Sequence, residues 1–177
     1  MTGARELVSV AGMISLLAAL AMTVPADEAS VLETIDAFFV ALERADRAAF
    51  EEMIAPETRL RTVRLGEDGA VQTSAQDREA FLGGLGGLEG KIVELYWDPV
   101  VSISPIGLAQ VWAPYYIEFE GRPVHCGVDA FTLTYMDEQW KVTDLHDTRD
   151  PGGCERLGLE EARERMRPES LKPLLQN

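Results

Sequence analysis

The sequence predicts an α+β domain in which helices come first and an antiparallel sheet follows. Three observations carry this. Apolar residues recur at helical spacing in the segment before Pro56. From Arg59 onward apolar and polar residues mostly alternate with a period of two. The later strand-like runs are separated by short turns, not by the crossover helices that parallel neighbours require.

Ser30 with Glu33 has the form of a capping box ahead of Val31, Ile35, Phe38, Phe39 and Leu42, which predicts a helix over about residues 30–44. Asp46 can cap a shorter helix in which Phe50, Met53 and Ile54 share one face, with Pro56 as its stop. Leu60, Thr62 and Arg64 then alternate with Arg61, Val63 and Leu65, and a Gly66-Glu67-Asp68-Gly69 turn returns the chain toward Thr73 as a hairpin. Ser74 with Asp77 signals a third helix through Phe81, Leu82 and Leu85, loosened by Gly83, Gly84, Gly86 and Gly87. Strands are expected over 91–97, 100–104, 109–119, 124–135 and 140–147. A charged surface helix over 159–167, with Glu161 and Arg165 at i,i+4 spacing and Pro168 as its end, completes the chain.

Leu7 to Val24 is apolar and uncharged, follows one arginine and one glutamate, and ends in Val24-Pro25-Ala26 before Asp27-Glu28. That order is expected of a secretory signal peptide cleaved after Ala26; an uncleaved membrane anchor is the alternative. The organisation is then a signal peptide over 1–26, one domain over 27–154 and a charged tail with a short helix over 155–177. Cleavage removes Arg5 and Glu6, so the exported chain keeps the net charge of −14. Such acidity disfavours nucleic acid and anionic membranes as partners, and a cationic or neutral small molecule is easier to accommodate. In an oxidising compartment Cys126 and Cys154 are candidates for a disulfide, against two lone thiols.

The element order, with Val111-Trp112-Ala113-Pro114-Tyr115, His125-Cys126-Gly127-Val128-Asp129-Ala130-Phe131, Trp140-Lys141-Val142, Asp147-Thr148-Arg149 and Gly153-Cys154, resembles the nuclear transport factor 2-like superfamily. That superfamily includes the SnoaL-like polyketide cyclases and the ketosteroid isomerases, and the likeness is closest to a bacterial branch labelled lumazine-binding. The resemblance covers about residues 30–154 and implies a cone-shaped fold, with N-terminal helices packed on a strongly curved antiparallel or mixed sheet. The fold hosts isomerases, cyclases, dehydratases, binding proteins and interaction modules, so activity must be argued from the site.

A turn at Met136–Gln139 pairs Tyr135 with Trp140 and Leu133 with Val142, and extending that register sets Phe131 beside Asp144 and Asp129 beside His146. A turn centred on Gly121-Arg122 places Trp112 beside Phe131 and Tyr116 beside Gly127. This predicts a pocket with Asp129 and His146 as candidate catalytic residues and Trp112, Tyr116, Phe131, Asp144 and Phe38 as ligand contacts. A loop one residue shorter would instead set Asp129 opposite Asp147 and turn His146 away. The other face, with Val111, Ala113, Tyr115, Ile117, Val128, Ala130 and Leu145, is apolar and needs a cover, for which the resemblance implies a second subunit in a homodimer. No metal and no cofactor is expected: the chain's two histidines lie too far apart along their strands to share an ion, and the glycines of 82–90 do not match a phosphate loop.

The expectation is an exported protein that binds a small apolar or aromatic molecule. An isomerase, dehydratase or cyclase using Asp129 as general base is a second possibility, and a non-catalytic dimeric interaction module a third.

Overall fold

A computed structural model of the protein describes Val24 and residues 27–66, 68–85, 87 and 90–166. The signal-peptide segment, apart from Val24, and the chain beyond Met166, including Pro168, lie outside the described residues. Helix α1 (Glu28–Arg44) is capped by Asp27, whose carboxylate accepts the Ser30 amide at 2.8 Å. Ser30 therefore sits inside the first turn and is not the cap. Its hydroxyl donates to the Asp27 carbonyl at 2.9 Å and receives the Trp140 indole N–H at 3.2 Å. Asp46 caps α2 (Arg47–Met53) through the Ala49 amide at 3.1 Å, and the chain turns extended at once into β1 (Ile54–Leu65). After β2 (Val71–Asp77), Asp77 caps α3 (Arg78–Leu85) through Ala80, while Ser74 stays in the strand.

Strands β3 (Ile92–Tyr96), β4 (Val100–Ser104), β5 (Leu108–Phe119), β6 (Arg122–Met136) and β7 (Gln139–Arg149) follow, then α4 (Gly153–Arg156) and α5 (Leu159–Met166). The seven strands form one curved mixed sheet in the order β2-β1-β7-β6-β5-β3, with β4 also paired to β5. Only the β1–β7 pairing is parallel.

The three N-terminal helices cover one face of this sheet. Phe38 of α1 meets Phe50 edge-on at 4.9 Å and Phe131 of β6 at 5.2 Å between ring centroids. Ile35, Phe50, Val111, Phe131, Leu133 and Val142 are fully buried around them. Each such side chain contributes about 1.5–3 kcal/mol by leaving water. Of the residues expected on one apolar face, Val111, Ala113 and Leu145 pack in this core under the chain's own helices, whereas Ala130 stands on the opposite side of the sheet with Trp112.

A bulge on β7 and a displaced turn before β6 overturn the expected register. Leu133 pairs with Val142, as the turn dictates, but Thr132 pairs with Asp144, leaving Thr143 as an extra residue whose hydroxyl donates to the Thr132 carbonyl at 3.1 Å. Beyond that point Phe131 stands opposite Leu145, Ala130 opposite His146 and Asp129 opposite Asp147. At the other end of β6 the turn is centred on Glu120-Gly121, both at positive φ (51° and 70°), which suits a type I′ hairpin and not the expected type II′. With Val124 as the second extra residue, Trp112 pairs with Ala130 and Tyr116 with Cys126.

The last helices pack on the opposite side of the sheet from α1. Leu159 and Ala162 of α5 are buried with Trp97, Tyr116 and Cys126, and a Cys126–Cys154 disulfide ties α4 to β6. The Trp97 indole N–H donates to the Leu157 carbonyl at 3.0 Å. The expected Glu161–Arg165 pair is replaced: Arg165 reaches Asp98, and Arg163 bonds Glu160 at 3.0 Å.

Candidate functional site

Between α1, α3 and the sheet lies a cavity of about 350 Å³. Its walls are apolar: Phe38 and Leu42 from α1, Phe81 and Leu85 from α3, Leu60, Ile92, Ile117 and Leu145 from the sheet. The helical spacing that buried these residues also sets them along one side of the hollow. Polar groups enter from the strands: Glu94 of β3, Tyr115 of β5, His125 and Asp129 of β6, Asp147 and Arg149 of β7. Exposed Gln76, Gly84 and Arg149 stand at the rim.

Asp129 is 3% exposed, and its carboxyl is hydrogen-bonded to that of Glu94. Burial, and then the neighbouring carboxyls of Glu94 and Asp147, push Asp129 well above the usual carboxylate range. Burial likewise pushes Glu94 up to about 8. Arg149 offsets this only in small part, because its guanidinium is hydrogen-bonded to Asp147 at 2.9 Å and to the Thr62 hydroxyl at 3.4 Å. Thr62 in turn donates to Asp147 at 2.6 Å. The Glu94–Asp129 pair therefore favours its protonated forms near neutral pH, with Asp129 donating to Glu94.

Tyr115 and His125 form the adjoining wall. The Tyr115 hydroxyl donates its single proton to the Thr148 carbonyl at 2.9 Å, so the contact with His125 Nε2, also 2.9 Å, has the imidazole as donor. Burial, and then the nearby Arg149, hold His125 below its ordinary pKa. It is a neutral ring with its proton on Nε2 and Nδ1 left as acceptor. Burial, and then Asp129 and Asp147, keep the Tyr115 phenol protonated.

The predicted site residues divide between two faces. Asp129 and Phe38 line the cavity, and Phe131 lies in the packed core beside Phe38. His146, Asp144 and Trp112 are on the far side of the sheet, where Arg61 bonds Asp144 at 2.9 Å and His146 at 2.8 Å, and Trp112 is 55% exposed. The Asp129–His146 pair is therefore not formed, because the bulge at Thr143 inverts the facing of every later residue on β7. Tyr116 is buried under α5, with the Arg163 guanidinium 4.6 Å from its ring centroid, and does not reach the cavity. Glu94, Tyr115, Asp147 and Arg149 were not expected there. The signal for Asp147 was legible: inward apolar residues on β7 run Trp140, Val142, Leu145, and that step of three marks a bulge.

No family model matches the chain, and no curated protein matches it. Solved structures do. Nuclear transport factor 2 from Cryptosporidium parvum superposes with a TM-score of 0.56 at 12% identity, covering 73% of this chain and 98% of that one. A nuclear transport factor 2-like protein from Cytophaga hutchinsonii gives 0.55 at 14% identity, covering 68% and 95%. A candidate dehydratase of the same fold group from Streptomyces avermitilis gives 0.51 at 17% identity, covering 69% and 94%. The chain has the nuclear transport factor 2-like fold, as the resemblance implied.

Proposed function

We propose that this chain is an exported small-molecule-binding protein whose ligand occupies the cavity between α1, α3 and the sheet. The observation that carries the reading is the Glu94–Asp129 pair, Asp129 buried and Glu94 half-buried, in the lining of a largely apolar hollow of about 350 Å³. A few convergent polar groups in a largely apolar concavity are the usual make-up of a ligand site, with the walls supplying affinity and the polar end orientation. Export is supported by the apolar run ending at Val24-Pro25-Ala26 and by the disulfide, which belongs to an oxidising compartment.

Acid–base catalysis of the isomerase, dehydratase or cyclase kind is a second reading, favoured by the same pair, since paired carboxyls with displaced pKa values are common at reacting centres. Asp129 would enter it as a proton donor, because its burial disfavours the carboxylate that a general base requires. Native mass spectrometry of protein purified from its own source tests the binding reading. One small molecule retained per chain, and lost when Leu85→Trp fills the hollow, is expected. A wild-type chain that neither carries nor takes up any apolar small molecule would contradict it.

A further inference from the structure

We infer that the ligand is an organic amine, with an ammonium group at Asp129 and Glu94 and an apolar, ring-sized body against Phe38, Phe81 and Leu85. This rests on the cavity being the binding site, as proposed above. The charges lining it decide the class. Among the described residues three carboxyls, Glu94, Asp129 and Asp147, face the hollow against one guanidinium, and that guanidinium belongs to Asp147 and Thr62. Nothing else in that lining answers the Glu94–Asp129 pair with positive charge. The lining contributions of α1 and α3 are Phe38, Leu42, Phe81, Gly84 and Leu85, and that of β2 is the neutral Gln76. His125 is neutral and gives its Nε2 proton to Tyr115, whose own proton goes to Thr148.

The pair keeps its protons because burial disfavours its charged forms, and an ammonium at the two carboxyls would offset that cost. Binding then ionises one carboxyl: the acid proton leaves to solvent, and the carboxylate accepts N–H hydrogen bonds from the ammonium. Charge-assisted hydrogen bonds are the stronger kind. An anionic ligand finds no free cation in this lining, and the net charge of −14 repels it on approach. The rings of Phe38, Phe81 and Tyr115 in the lining suit an aromatic body.

The test is calorimetric titration of the full chain with three matched probes, 2-naphthylmethylamine, 2-naphthylmethanol and 2-naphthoate. The amine is expected to bind about tenfold or more tighter than the alcohol near pH 8. Its affinity should rise from pH 6 to roughly pH 9, and comparison of buffers with different ionisation heats should show proton release on binding. In Glu94→Gln/Asp129→Asn, isosteric at both positions, the amine-to-alcohol ratio should fall to about one; should that variant fail to melt cooperatively, a marked fall of the same ratio in Asp129→Asn alone is the equivalent result. Equal or tighter binding of the alcohol or the naphthoate would overturn the amine assignment and leave the cavity as the binding site. Binding of none of the three would overturn both.

Discussion

Gly127 lies so close to the Thr148 carbonyl that a β-carbon at residue 127 would stand 1.8 Å from that oxygen and 2.7 Å from the Tyr115 ring. The missing side chain is what lets the Tyr115 hydroxyl cross to Thr148 and fix the polar wall of the cavity. Gly127→Ala must therefore displace backbone, and a loss of about 3 kcal/mol or more in urea unfolding is expected. Gly83, inside α3, behaves oppositely, since a β-carbon there would meet nothing within 4 Å. Gly83→Ala should raise stability by about 0.5–1 kcal/mol through helix propensity.

The carboxyl pair sets a pH dependence whose sign is fixed. Both groups are raised in the folded chain, so their contribution to stability is complete below the ordinary carboxylate range and is lost as pH climbs toward about 8. Each group changes the unfolding free energy by at most about 1.4 kcal/mol per pH unit across that window. His125, held low, acts in the opposite sense on the acid side. The difference in stability between wild type and Glu94→Gln/Asp129→Asn, followed by urea unfolding from roughly pH 5 to pH 9, isolates the pair and should decline steadily with pH.

The inversion at Thr143 separates inner from outer residues, and substitution reads that separation directly. Trp112→Ser and His146→Ala, on the far side of the sheet, should leave naphthylmethylamine affinity within about twofold of wild type. Asp129→Asn should weaken it by about tenfold. Isothermal titration of the three variants checks both.

Reduction of the disulfide releases α4 and α5 from β6. The bridge joins residues 28 apart, and its loss should cost about 3–4 kcal/mol in the chain-entropy model. Cys126→Ala/Cys154→Ala measured against the oxidised chain gives the figure. Trp97, buried in the intact fold, should then exchange its indole proton faster as its bond to the Leu157 carbonyl loosens.

Helices and strands were legible because burial imposes a period, and Val31, Ile35, Phe38 and Phe39 or the alternation along β6 display it without help from the rest of the chain. Caps were harder to place: Ser30 and Ser74 resemble caps, yet Asp27 and Asp77 hold the positions, since a carboxylate accepts the free amides more strongly. The site was legible only in part. Asp129 and Phe38 follow from strand pairing and helical spacing, but facing along β7 depends on one unpaired residue, and a single extra residue exchanges His146 for Asp147. Glu94 could not be read at all. It reaches Asp129 from a strand on the far side of β5, a juxtaposition made by sheet order and curvature rather than by any local pattern.

Methyl-resolved NMR of the full chain titrated with 2-naphthylmethylamine locates the ligand most directly. Saturable shifts should appear at Leu42, Leu60, Leu85, Ile92, Ile117 and Leu145, which line the hollow, while Val100, across the sheet beside Trp112, stays still. Shifts centred on Val100, or none that saturate, would contradict an interior binding site.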